Sequence, residues 1–160
     1  MKRKIAIAAS FAAGIIFGIA IMGNRMKKEI HRKNLKINKF KEYYSLLIQW
    51  LSLRQNGKRL GQYFTENGYQ VIAIYGMGEL GKCFYEELKN IPEIEIKYAI
   101  DQQGAFCGGL EILDPDDSLP DVDAIIVTPI YAYDEIEEKL KQKTHSRVVS
   151  LDSVVYDIEC

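Results

Sequence analysis

Three glycines and one acid are the residues of this chain best suited to chemistry. Gly76-Met77-Gly78-Glu79-Leu80-Gly81 follows the apolar run Val71–Tyr75, and Asp101 closes a second apolar run, Ile94–Ile100, twenty residues after Gly81. Glycines permit a tight turn and let backbone N–H groups come close to a phosphate. A helix that begins there adds its positive end, and an acid after the next strand accepts hydrogen bonds from a ribose. The candidate binding residues are therefore Gly76, Met77, Gly78, Glu79, Leu80, Gly81 and Asp101. Thr128 and Pro129 join them, because they end a later apolar run, Ala124–Thr128, at the strand end where open α/β sheets hold ligands. An acid at position 101 favours an unphosphorylated ribose, so the expected ligand is NAD or a nucleotide-sugar such as a UDP-sugar rather than NADP. Glu79 works against an anion at the helix start, and Lys82 one turn on offsets it. A second reading stays open, in which the glycines serve packing alone.

Catalytic residues are not indicated. His145 stands alone before an apolar run, and His31 lies in a basic stretch. The three cysteines, Cys83, Cys107 and Cys160, form no Cys-x-x-Cys and no metal-ligand spacing. No metal is expected. Cys83 is expected to be a small buried residue on the helix after the glycine loop, and the unpatterned set fits a reducing compartment.

The elements that must position these residues follow from hydropathy and turn signals. After β-type runs at 71–75 and 94–100, Leu110–Leu113 reads as a third strand, Ala124–Thr128 as a fourth and Arg147–Leu151 as a fifth. A helix with Cys83, Phe84 and Leu88 stops near Asn90. A second, Tyr133–Lys143, has acids early and bases late, as the helix dipole prefers, and Val154–Ile158 adds one short element. Tyr131 and Tyr133 follow Pro129 as turn residues. The alternation predicts an α/β fold with a single parallel sheet of order 3-2-1-4-5.

Residues 1–41 differ in character. They hold eleven Lys/Arg against one acid, whereas the remainder holds ten against 21. An acidic globular part excludes nucleic acid as a partner. Ile5–Met22 is an uninterrupted uncharged apolar run, at the lower edge of the roughly 17–25 residues that span a bilayer. A cleaved secretion signal is the competing reading, but the run is long for one and small residues are poorly placed for cleavage after it. The expectation is a single-pass anchor over residues 1–23. Three bases precede the run and eight follow within 25–41, which places the carboxyl-terminal part in the cytoplasm. Ser10, Gly14 and Gly18 form a small-residue stripe through which two anchors could pair.

Residues 24–68 read as a basic juxtamembrane segment and a helical neck, and 69–160 as the nucleotide-binding domain. The neck has helices at Lys39–Leu53 and Leu60–Glu66, with Asn56-Gly57 and Asn67-Gly68 as stops. Phe40, Tyr43, Tyr44, Leu47, Trp50 and Leu51 are expected on one apolar face. That face either packs on the domain or lies in a membrane interface.

The runs Ile74–Gly81, Tyr98–Asp101, Gly108–Leu113 and Asp123–Thr128 resemble the small Rossmann-type domain of bacterial polysaccharide-biosynthesis proteins. In that family the domain accompanies sugar-nucleotide epimerase/dehydratase or acyltransferase domains, often behind membrane helices. The resemblance implies a Rossmann-like fold, a bound NAD or nucleotide-sugar, and polysaccharide-biosynthesis enzymes as partners. It also touches the cofactor half of sugar oxidoreductases, whose fourth strand ends in a similar Thr-Pro. Three functions follow as expectations: an accessory or sensing module, a minimal oxidoreductase or epimerase completed by a partner chain, and a ligand-free scaffold.

Overall fold

The computed structural model describes residues 2–102 and 108–158, without the side chains of 2–21 and 23–25. Its elements are α1 (Lys2–Gln55), α2 (Gly61–Asn67), β1 (Val71–Tyr75), α3 (Glu79–Leu88), β2 (Glu95–Ile100), β3 (Ile112–Leu113), β4 (Ala124–Val127), a 3₁₀ turn (Ile130–Ala132), α4 (Tyr133–Leu140), β5 (Arg147–Ser150) and α5 (Leu151–Tyr156). Two compact units result, residues 1–41 and 42–160.

The described residues of the first unit, 2–41, belong to α1. Among the described residues no helix is long and apolar enough to cross a membrane. The side chains of the run at 5–21, including Ser10, Gly14 and Gly18, lie outside that description. The helix expected to begin at Lys39 is instead part of α1, which starts at Lys2.

In the second unit the sheet is wholly parallel, with order β3-β2-β1-β4-β5. The sheet is Rossmann-like. Burial alternates with the strand period, because successive side chains leave a strand on opposite faces. Ile72, Ile74, Ala99, Ala124, Ile126 and Val149 face one core, and Ala73, Tyr98, Ile100, Ile125, Val127 and Val148 face the other. The first core is covered by Leu46, Trp50 and Leu53 of α1, Phe64 of α2, Phe84 and Leu88 of α3, and Val154 and Val155 of α5. The second is closed by Ile136 and Leu140 of α4 with Leu119.

The carboxyl-terminal part of α1 packs on the sheet unit, through a different face from the one expected. Trp50 is buried, joined by Leu46 and Leu53, and Tyr43 is half-buried, whereas Phe40, Tyr44, Leu47 and Leu51 are exposed. Between positions 43 and 53 apolar residues occupy two stripes at once, so spacing alone cannot choose between them. Polar contacts fix the choice. The indole of Trp50 donates to Glu87 Oε2 at 2.7 Å, and the Leu60 amide donates to Oε1 at 3.1 Å. Arg54 lies 3.4 Å from that same Oε1. Glu87 is nearly buried on α3, and a buried carboxylate with three donors is held rather than stranded. The helix ends as expected at Asn56-Gly57, where Gly57 takes φ +76° and Lys58 N–H closes onto Leu53 O at 2.9 Å.

Cys83 is exposed, against expectation. Gly81, Phe84 and Leu88 define the buried stripe of α3, and position 83 turns away from it. Cys107 and Cys160 lie outside the described residues. Strand β3 is two residues long, and the segment from Leu151, expected to finish the fifth strand, opens α5.

Candidate functional site

The glycine loop joins β1 to α3 and lies at the carboxyl edge of the sheet. Each glycine has a separate reason. Gly76 takes φ +90°, and a Cβ there would stand 2.9 Å from the Pro129 ring and 3.0 Å from Thr128 Oγ1. At Gly81 a Cβ would collide with the carbonyl oxygen of Gly76, so the first turn of α3 can close against the strand end only without a side chain. Gly78 is different. A Cβ there meets nothing within 4 Å. Packing thus accounts for the outer two glycines and leaves the middle one facing open space.

Two further residues hold the loop. The Thr128 hydroxyl is directed at Gly76 O at 2.7 Å and Tyr75 O at 3.2 Å, and Thr128 is buried. Its amide also donates to Tyr75 O at 3.0 Å, continuing the β1–β4 pairing past the last strand residue. On the other side Met77 N–H donates to Asp101 Oδ2 at 2.6 Å, and Gly76 N–H donates to Ile100 O at 2.8 Å. The carboxylate at the end of β2 is therefore aimed at the loop by one of the loop's own amides, a charge-assisted bond that fixes its orientation.

Above the loop is a cavity of about 500 Å³ whose lining includes Gly76, Met77, Gly78, Glu79, Asp101 and Pro129. The structure thus brings six of the nine candidate residues to one concave surface. The other three, Leu80, Gly81 and Thr128, stand behind it: Leu80 packs against the core and the other two shape the loop. The opposing charges noted in the sequence, Glu79 and Lys82, both line the cavity. A space of this size lies within the range of small-molecule and cofactor sites.

Residues that the spacing did not single out complete the wall. Tyr75, Ile100, Gln102 and Pro115 come from the carboxyl ends of β1, β2 and β3, and Ile136 comes from α4. Their common signal is position, since each of the first four ends a strand or follows one closely. Burial pushes the Tyr75 phenol above its ordinary range, with Lys139 opposing and Asp101 adding to the rise. Tyr75, Gln102 and Pro115 also border a second cavity of about 610 Å³, which runs toward Asp114, Asp116, Lys139 and Lys143. Lys139 and Lys143 are engaged there by Glu135 at 2.7 Å and Asp116 at 3.1 Å.

Tyr131 gives the wall an aromatic side. It packs edge-on against Tyr43 of α1, with ring centroids 5.9 Å apart, and the Tyr43 phenol is pushed up to about 12 by burial and by Tyr131. Tyr133 does not line this cavity. Its hydroxyl lies 2.9 Å from Glu137 Oε1 and 3.2 Å from Val148 O, and burial followed by the Glu137 contact pushes it up to about 12. His145 lies in the loop before β5 and does not line the cavity, and no group of three His, Cys, Asp or Glu suited to a metal occurs among the described residues.

Comparison with protein-family models, with curated proteins and with solved structures finds no match to the chain. A parallel sheet of this order, with a glycine turn, a following helix and an acid after the second strand, is compatible with nucleotide binding.

Proposed function

We propose that residues 42–160 bind a nucleotide, NAD or a nucleotide-sugar such as a UDP-sugar, in the cavity over Gly76–Gly81. The observation that carries this reading is the contrast between the glycines. Gly76 and Gly81 are required by contacts within the protein, whereas Gly78 opens onto the cavity with nothing within 4 Å. A bare backbone at the start of α3 is what close approach of a pyrophosphate needs. Asp101, oriented by Met77 N–H, is the partner for a ribose hydroxyl, and Lys82 supplies the positive charge nearest the phosphates.

In this reading the chain is an accessory or sensing module tethered to a membrane through 5–22, with the sheet unit in the cytoplasm. It serves a polysaccharide or cell-envelope pathway. The tether is supported by the uninterrupted apolar run and the eight bases after it, the pathway by the motif resemblance alone.

Thermal unfolding with a panel of NAD, NADH, NADP, UDP-sugars and coenzyme A tests the binding. A ligand at ~100 times its Kd adds about 2.7 kcal/mol, a rise of several degrees for a unit of this size. A specific observation favours one rival: Thr128 and Asp101 both serve the loop itself, as a ligand-free scaffold would require. Under that rival no ligand in the panel moves the transition.

A further inference from the structure

Helix α1 carries more apolar surface than the sheet unit uses. Over residues 42–55 one side is spent on the core, through Leu46, Trp50 and Leu53, while Tyr44, Leu47 and Leu51 point outward and are 46–59% exposed. These outward residues are three and four positions apart. The same alternation runs back in the sequence through Phe40, Ile37, Ile30 and Met26, interrupted only by Lys33. Within the first unit those four are also exposed, by 51–70%. Positions 30, 37, 44 and 51 thus repeat every seven residues, and so do 26, 33, 40 and 47. Ile48 lies beside the stripe, and Leu35 falls away from it.

We infer that α1 is one strand of a two-stranded coiled coil, in which a second copy of this chain lays Ile30, Ile37, Phe40, Tyr44, Leu47 and Leu51 against the same residues. The period selects the occupant. A helix resting on a flat apolar surface keeps a 3.6-residue stripe, and a strict seven-residue repeat drifts about 20° per heptad from it. Only a partner helix that supercoils with it keeps such a seam in contact. The extent fits as well. Those six side chains and Met26, each offering on the order of 100 Å², approach the ~800 Å² per partner of a stable interface. Lys33 at a single seam position suits two strands, where its ammonium reaches solvent past the partner. Because Lys33, Lys36 and Lys41 bring like charges together, salt strengthens the pair by screening them.

Sedimentation equilibrium of the full chain in a density-matched mild detergent tests this. The expected result is a two-chain mass that tightens about tenfold between low and high salt. A Leu47→Glu/Leu51→Glu variant is expected to dissociate on the order of 100-fold more readily while keeping the wild-type circular dichroism spectrum, because both positions are exposed in the single chain. Ile37→Glu/Phe40→Glu, outside the sheet unit, gives the same readout should the first variant misfold. A monomeric wild type, a mass of three or more chains, or a dimer that survives both variants overturns the inference. So does a monomer whose stripe variants lose only binding to anionic vesicles, which assigns the stripe to lipid.

Discussion

Asp101 accepts a hydrogen bond from the Met77 amide at 2.6 Å, so the acid at the end of β2 and the glycine loop at the end of β1 form one unit. This gives the carboxylate a structural task beside the binding one proposed for it, and the two are separable. Asp101→Ala removes the acceptor and leaves a Met77 N–H without its partner, with an expected loss of about 1–2 kcal/mol. Asp101→Asn keeps an oxygen for that amide and loses the charge. Its expected unfolding free energy in urea stays within about 0.5 kcal/mol of wild type, while nucleotide binding weakens.

The glycines make a sharper contrast. Gly81→Ala is expected to destabilise by about 3 kcal/mol or more, because its Cβ meets a carbonyl oxygen that can move only with the strand end. Gly78→Ala is expected to cost less than about 0.5 kcal/mol, since the site is open and its φ of −67° suits any residue. Urea unfolding of the two variants measures the difference.

Thr128 has its hydroxyl on Gly76 O and is buried, so Thr128→Val strands that carbonyl at an expected cost of about 1–2 kcal/mol. Thr128→Ser restores the bond and is expected to recover most of the loss. If Thr128 served only as a ligand contact, neither variant would shift the unfolding midpoint without ligand.

The sheet's opposite edge predicts a pH dependence. Asp123 accepts from the amides of Gln70 and Val71, both at 2.8 Å, and these bonds hold its carboxyl below the ordinary range. A depressed pKa in the folded state contributes stability above the unfolded value, about 3.9, and loses it as pH falls through the folded one. Asp123→Asn is therefore expected to be less stable than wild type at pH 7 by about 1 kcal/mol, solvent exposure holding the figure down. The gap is expected to close below about pH 4, which thermal unfolding across pH 2–7 measures.

Much of this architecture was legible before folding was considered. Five strands, their order and the loop's place at the end of β1 follow from apolar runs, turn residues and the alternation of strand and helix patterns. Six of nine candidate residues meet at one surface because a strand, a tight turn and a helix leave the loop few geometries. What escaped the sequence was contact between distant segments. Leu80, Gly81 and Thr128 sit behind the wall, and nothing local to them says so. Tyr75, Gln102 and Pro115 reach the cavity through strand order alone. Cys83 was misplaced because a short helix has several plausible inward faces. The buried face of α1 differs from the expected one because apolar residues lie on two of its sides, and the partner that holds Trp50 inward, Glu87, is more than thirty residues further on.

The proposed site stands or falls with Gly78 opening onto a nucleotide. Calorimetric titration of the protein in mild detergent with NAD, NADH, UDP-sugars and coenzyme A, beside a Gly78→Trp variant, tests it most directly. The expected result is that one ligand binds one-to-one, that Gly78→Trp abolishes the heat while melting as wild type does, and that Asp101→Asn weakens it. A well-folded protein that binds none of these ligands, or binds one equally well with tryptophan at position 78, rules out a nucleotide over Gly78 and leaves the glycine loop as packing.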